Sequence, residues 1–276
     1  MNRPIILAHG IARFDEVLRR FGVEFYFKKI PEHLEGEGFR VYRSSVSFAG
    51  SVEQRAGELK DEVERILGEA KADKAHIIAH SMGGLDARHM IVDLGMDDRV
   101  ESLTTIGTPH HGTSFADEGL EQADAFIDAV RRMGGNIEGF RDLSTRACGE
   151  FNRRAEDAEA SNSVHYQVYS SFQRKRAVFG PLQFSWKIIN EREGPNDGLV
   201  PVSSQEWAAS LANQAGDKKA IIRRQFGFEA DHLNQTGLWD VNELLRLNWN
   251  ARGYERKVRD VYLDIARGVT GFPGTG

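Results

Sequence analysis

Cysteine is all but missing from this chain: Cys148 stands alone in 276 residues, so no intramolecular disulfide can form, as is usual in a reducing compartment. With no accompanying histidine pattern, the lone thiol reads as an ordinary small side chain rather than a nucleophile. Long hydrophobic runs are missing too. No apolar stretch approaches the roughly 20 residues that a membrane-spanning helix requires, which excludes a transmembrane segment of that kind. Met1-Asn2-Arg3-Pro4 leads directly into a strand-like run, without the charged and then apolar regions of a signal peptide. The expectation is a cytoplasmic protein, or a secreted one whose leader has been removed. Nor does either sign of charge dominate. Lys and Arg number 36 against 41 Asp and Glu, a net charge of -5 without a basic patch, and nucleic acid is excluded as an expected partner.

With 40% hydrophobic residues, the chain can bury one large α/β core, and a single domain over residues 1–276 is expected. Short β-branched runs alternate with helical patterns, the signature of a mostly parallel sheet flanked by helices. Strands are expected at Ile5–Ala8, Arg40–Arg43, His76–Ile78, Ser102–Gly107, His165–Tyr169 and Trp186–Asn190, with a short one around Ala220–Arg223. Val52, Ala56, Leu59, Val63, Ile66 and Leu67 fall at helical spacing through Ser51 to Ala70. Val258 to Ala266 reads as a closing helix. Between Phe115 and Phe140 two helical stretches broken by Gly134-Gly135 suggest an insertion over the carboxyl edge of the sheet.

The most informative stretch is Ala79-His80-Ser81-Met82-Gly83-Gly84, which joins a strand-like run to a helical one. That is the context of a nucleophile elbow, where a tight turn holds a serine hydroxyl exposed at the sheet edge. Small neighbours are needed there. Gly83 provides one, and Ala79 replaces the first glycine of the usual G-x-S-x-G. The alternative is a serine that merely caps a helix after a buried strand.

Chains built on such an elbow carry the acid and then the base downstream of the nucleophile. Of nine histidines only His232 lies beyond the later strands, in the polar loop Ala230-Asp231-His232-Leu233-Asn234, where it could serve as general base. Asp197, in the turn-forming Asn196-Asp197-Gly198, is the candidate acid. Glu193, Glu206 and Asp231 compete for that role, Asp231 being disfavoured by its adjacency to the histidine. The oxyanion-hole donors expected are the backbone amides of Met82, at a helix start, and Ile11, after the His9-Gly10 bend. His9 and His80 read as packing groups.

Taken together, these pieces resemble the bacterial true lipases of the Pseudomonas and Burkholderia type, within the α/β-hydrolase superfamily. The resemblance rests on Pro4 to Gly10, His80 to Gly84 with Ala87-Arg88, Thr105 to Gly112 with Phe115-Ala116-Asp117, Asn196 to Val200, and His232 to Gln235. It implies an α/β-hydrolase sheet lacking the first strands of the full fold, a Ser81, Asp197 and His232 triad, and a lid insertion over residues 115–142. The implied function is hydrolysis of lipid or ester substrates, by a lipase or a short-chain carboxylesterase; acyltransferase, thioesterase and a catalytically silent binding protein are the alternatives. Helical apolar spacing through Phe126, Ile127 and Val130 fits a lid able to engage a lipid–water interface, or else a permanent core helix. The family's structural calcium is expected to be absent, with no other metal or cofactor. Asn234 stands where the family has an aspartate ligand, and Phe172 to Asn190 offers no aspartate for the other.

Overall fold

The apolar runs around Ile5, Ile77 and Leu103 are buried on both faces, which suits them to the middle of a parallel sheet. The computed structural model describes residues 3–10, 26–47, 50–121, 137–238 and 251–271. Its main sheet contains β1 (Ile5–Ala8), β2 (Val41–Arg43), β3 (Ala75–His80), β4 (Val100–Ile106), β5 (His165–Ser170) and β8 (Ile222–Gln225). All six are parallel, in the order β2-β1-β3-β4-β5-β8. Strands β6 (Ser210–Ala212) and β7 (Lys218–Ala220) form a separate antiparallel pair. The described helices are α1 (Ile30–Gly36), α2 (Val52–Ala70), α3 (Met82–Asp93), α4 (Ser114–Glu121), α5 (Ile137–Arg141), α6 (Thr145–Ser161), α7 (Gln183–Arg192), α8 (Val202–Gln205) and α9 (Ala251–Thr270).

Alternation along the strands divides the core into two layers. Ile6, Ala8, Ile77, Ala79 and Leu103 pack with Leu59, Val63 and Ile66 of α2 and Met90 and Ile91 of α3. Ile5, Leu7, Ile78 and Ile106 face the other way, onto Ile30 and Leu34 of α1 and Val258, Tyr262 and Ile265 of α9. Helix α2 takes its expected span. Ser51 caps it, its side chain accepting from the Gln54 N–H, and the apolar residues at helical spacing are all buried.

One expected strand is wrong: Trp186–Asn190 lies within helix α7. Aromatic and β-branched residues suggest extended chain, but the buried positions are Ser185 and Ile189, four apart as on one helix face, with Lys187 and Asn190 exposed. Nor is Ala220–Arg223 one strand. Ala220 ends β7 and Ile222 opens β8, while the Ile221 N–H between them bonds to the Ala209 carbonyl. Of the expected insertion over 115–142, α4 and α5 are in view. Phe126, Ile127 and Val130 lie outside the described residues. No described helix is long and apolar enough to cross a membrane.

Sheet order fixes where a site can form. The chain builds outward from β1 to β2, then returns to add β3 on the other side, leaving a crevice outside the carboxyl ends of β1 and β3. His9-Gly10 and Ser81 leave those two ends.

Candidate active site

Ser81 follows β3 with φ 57° and ψ -133°, a conformation that side-chain-bearing residues seldom adopt. The neighbouring structure holds it there. The Ser81 N–H donates to the Ile106 carbonyl at 2.9 Å, and the Ser81 carbonyl accepts from Gly84 N–H at 3.0 Å and from Thr108 Oγ1 at 2.8 Å. A Cβ on Gly83 would lie 2.8 Å from the carbonyl oxygens of Ala8 and His9, and one on Gly10 would lie 2.7 Å from Ser81 Cβ. Helix α3 can therefore meet the end of β1 only through a residue without a side chain. Gly83→Ala is expected to lower stability by about 1–3 kcal/mol, as overpacking against rigid backbone does; chemical denaturation would measure it. Ala79 is fully buried between the sheet and its helices.

The two other candidates converge on Ser81. His232 Nε2 is 2.8 Å from Ser81 Oγ, and His232 Nδ1 is 2.8 Å from Asp197 Oδ2. Asp197 is completely buried and accepts from four donors: His232 Nδ1 and Gln235 Nε2 at Oδ2, and the Leu199 and Val200 N–H groups at Oδ1. An ionised carboxylate can only accept, so His232 must donate through Nδ1, leaving Nε2 free to accept the serine proton. Geometry thus selects the tautomer that a general base needs. Asp197 lies in the turn after α7. The competing acids point elsewhere. Glu193 accepts from the Ser114 N–H, Glu206 lies beside Gln225 and Arg223, and Asp231 faces backbone amides.

Met82 opens α3, where helix geometry leaves the first amides without intrahelical acceptors. Ile11 lies outside the described residues. The α/β hydrolase fold family matches residues 3–221. The chain belongs to the α/β-hydrolase family. A bacterial relative of this α/β-hydrolase, the triacylglycerol lipase of Vibrio cholerae, is 39% identical over 238 residues, 73% of each chain. Triacylglycerol lipase 2 of Saccharomyces cerevisiae is 34% identical over 191 residues, 66% of this chain and 57% of that one. The chain thus spans less than two thirds of the yeast relative. Staphylococcus hyicus lipase has a similar fold, with a TM-score of 0.69 at 16% identity over 98% of this chain and 96% of that one. A metagenomic carboxyl esterase gives 0.70 at 17% identity, over 97% and 75%.

Around the three residues, this α/β-hydrolase builds a second layer of polar groups that sequence patterns did not single out. Gln235 donates to Asp197 and to Ser171 Oγ, and its Oε1 accepts from His80 Nε2 at 3.0 Å. His80 Nδ1 then accepts from the Tyr26 hydroxyl at 2.9 Å, whose oxygen accepts the Gly10 N–H at 3.0 Å. Burial, with His232 adding to it, pushes the His80 pKa well below its usual value, so the ring is neutral and can play both parts. His9 is pushed down to about 4 by burial and by Arg55. Both rings are buried, His9 against the Gly10 carbonyl and His80 between Gln235 and Tyr26. Arg55, buried on α2, donates to the His9 and Ser47 carbonyls and to Asp86 Oδ2 on α3, tying the loop after β1 to the helix after the serine.

Among the described residues no group of three or more His, Cys, Asp or Glu side chains could hold a metal ion. Beside His232, Asn234 Oδ1 accepts the Asp231 N–H, and both Asp231 oxygens accept backbone N–H groups, from Leu233 and Asn234 at Oδ1 and from Phe179 at Oδ2.

Proposed function

We propose that this α/β-hydrolase is a serine carboxylic-ester hydrolase, a lipase that cleaves acylglycerols through an acyl-enzyme on Ser81. The observation that carries this reading is the unbroken hydrogen-bonded line from Ser81 Oγ through His232 to Asp197, 2.8 Å at each link. His232 removes the serine proton as Oγ attacks the ester carbonyl, then returns it to the departing alkoxide. Asp197 holds the ring and stabilises the imidazolium. The amides of Met82 and Ile11 receive the oxyanion. Water, activated by the same histidine, releases the acid. The name of the Vibrio and yeast relatives supports acylglycerols as the substrate class.

The reading further takes residues 1–276 as a single hydrolase domain, with 115–142 as its lid and Phe126, Ile127 and Val130 as the apolar side offered to a lipid–water interface. It includes independence from calcium, supported by the asparagine at position 234 and by the engagement of the Asp231 carboxylate with backbone N–H groups. Initial rates on p-nitrophenyl esters of increasing acyl length, with and without EDTA, test the activity and its independence from calcium. Serine-dependent turnover peaking at long chains and indifferent to EDTA is expected. A short-chain peak would make the protein a carboxylesterase, and activity abolished by EDTA and restored by calcium would remove the metal-free reading.

A further inference from the structure

Two loops must meet for His232 to reach Asp197, and both are bonded to one stretch of chain. The Gln173 N–H donates to the carbonyl of Asn196, next to the acid, at 3.0 Å. The Phe172 carbonyl accepts the Ala230 N–H at 3.1 Å, just before the histidine. The third link is a side chain. Asp231, fully buried, accepts the Leu233 and Asn234 N–H groups at Oδ1, 3.0 and 2.8 Å away, which closes the turn carrying His232. Its Oδ2 crosses to the Phe179 N–H at 2.9 Å. Hydrogen bonds of this kind to a carboxylate are among the strong ones in proteins.

We infer that Asp231 is a positioning residue: a carboxylate clamp that holds the His232 loop against residues 172–179 and so sets Nε2 on the serine. The inference rests on the proposed triad. Burial pushes the Asp231 carboxyl up to about 6, while the amides of Asn234, Phe179 and Leu233 favour the ionised form that accepts from all three. A cation bridging two loops does so through oxygen ligands on both sides. Here one aspartate joins the two loops through amide protons instead.

The crossing bond can be removed without touching the carboxylate. Phe179 has φ -48° and ψ 128°, at the edge of proline's range, and Val178 before it has φ -69° and ψ 139°, extended as a residue preceding proline must be. Phe179→Pro therefore deletes one N–H at little conformational cost. Phe179→Ala, which loses the same side chain but keeps the N–H, is its reference. The proline variant is expected to show kcat about tenfold below the alanine variant, as loss of one bond to a charged group allows, with KM within about twofold. Faster amide exchange over residues 231–236, read by mass spectrometry, should accompany it. Asp231→Asn, which turns an amide donor toward one of the N–H groups, should lower kcat further. Equal kcat and equal exchange in the two Phe179 variants would overturn the clamp, as would an Asp231→Asn variant with parental kcat. If the parent protein showed no turnover sensitive to Ser81→Ala, the proposed function would fail, and the exchange comparison would still decide the clamp.

Discussion

Ser81→Ala is expected to abolish ester hydrolysis, lowering kcat by roughly 10⁴- to 10⁶-fold, the scale on which removing such a nucleophile acts. The argument rests on what alanine keeps. Its Cβ occupies the same place at φ 57°, so the turn, the fit against Gly10 and the bonds at the Ser81 N–H and carbonyl are unchanged. Only Oγ disappears. His232 Nε2 loses one donor at a half-buried position and remains held by Asp197 through Nδ1. Thermal unfolding should therefore move by no more than a few degrees while turnover vanishes. A variant retaining activity within a hundredfold of the parent would take Ser81 out of the chemistry.

Asp197→Asn should lower kcat by about 10⁴-fold, and unlike the serine change it should also weaken the fold. Four donors point at a carboxylate that offers two acceptor oxygens. Asparagine has one oxygen, and neither orientation satisfies the site. With the NH₂ toward His232, Nδ1 must accept, the ring proton moves to Nε2, and the serine faces a donor where it needs a base. With the NH₂ turned away, it confronts the amides of Leu199 and Val200 in a completely buried position. Each buried group left unpaired costs about 1–3 kcal/mol. Rate measurements paired with urea denaturation would separate the two effects. Parental kcat in this variant would mean that another acid orients His232.

The sequence made legible those features whose causes are local. The apolar spacing of α2 and the small residues around Ser81 act within a few residues of themselves, and the helix and the turn lie where they are expected. The order of nucleophile, acid and base points to His232 among nine histidines, and the structure places that ring between Ser81 and Asp197. Helix α7 is illegible for the opposite reason. Trp186, Ile188 and Ile189 favour extended chain on local grounds, and contacts distant in sequence decide otherwise, among them the bond from Trp186 Nε1 to the Gln173 carbonyl and the packing of Ile189 on Phe115. Gln235 stood inside a recognised motif without a role, since its partners are far away in the chain. Tyr26 carries no sequence signal at all; its hydroxyl matters only because β3 brings His80 beside it. Adjacency to His232 disfavours Asp231 as the acid, and the same adjacency lets its carboxylate close the turn beneath that residue.

The bonds running from Asp197 through Gln235, His80 and Tyr26 to Gly10 all have the same polarity. The acid's negative charge orients the Gln235 amide, whose oxygen fixes the proton of His80, whose bare nitrogen turns the tyrosine hydroxyl and exposes its lone pairs to the loop after β1. The carboxylate that holds His232 and the loop after β1 are therefore thermodynamically linked, and substitutions along this row will not act additively.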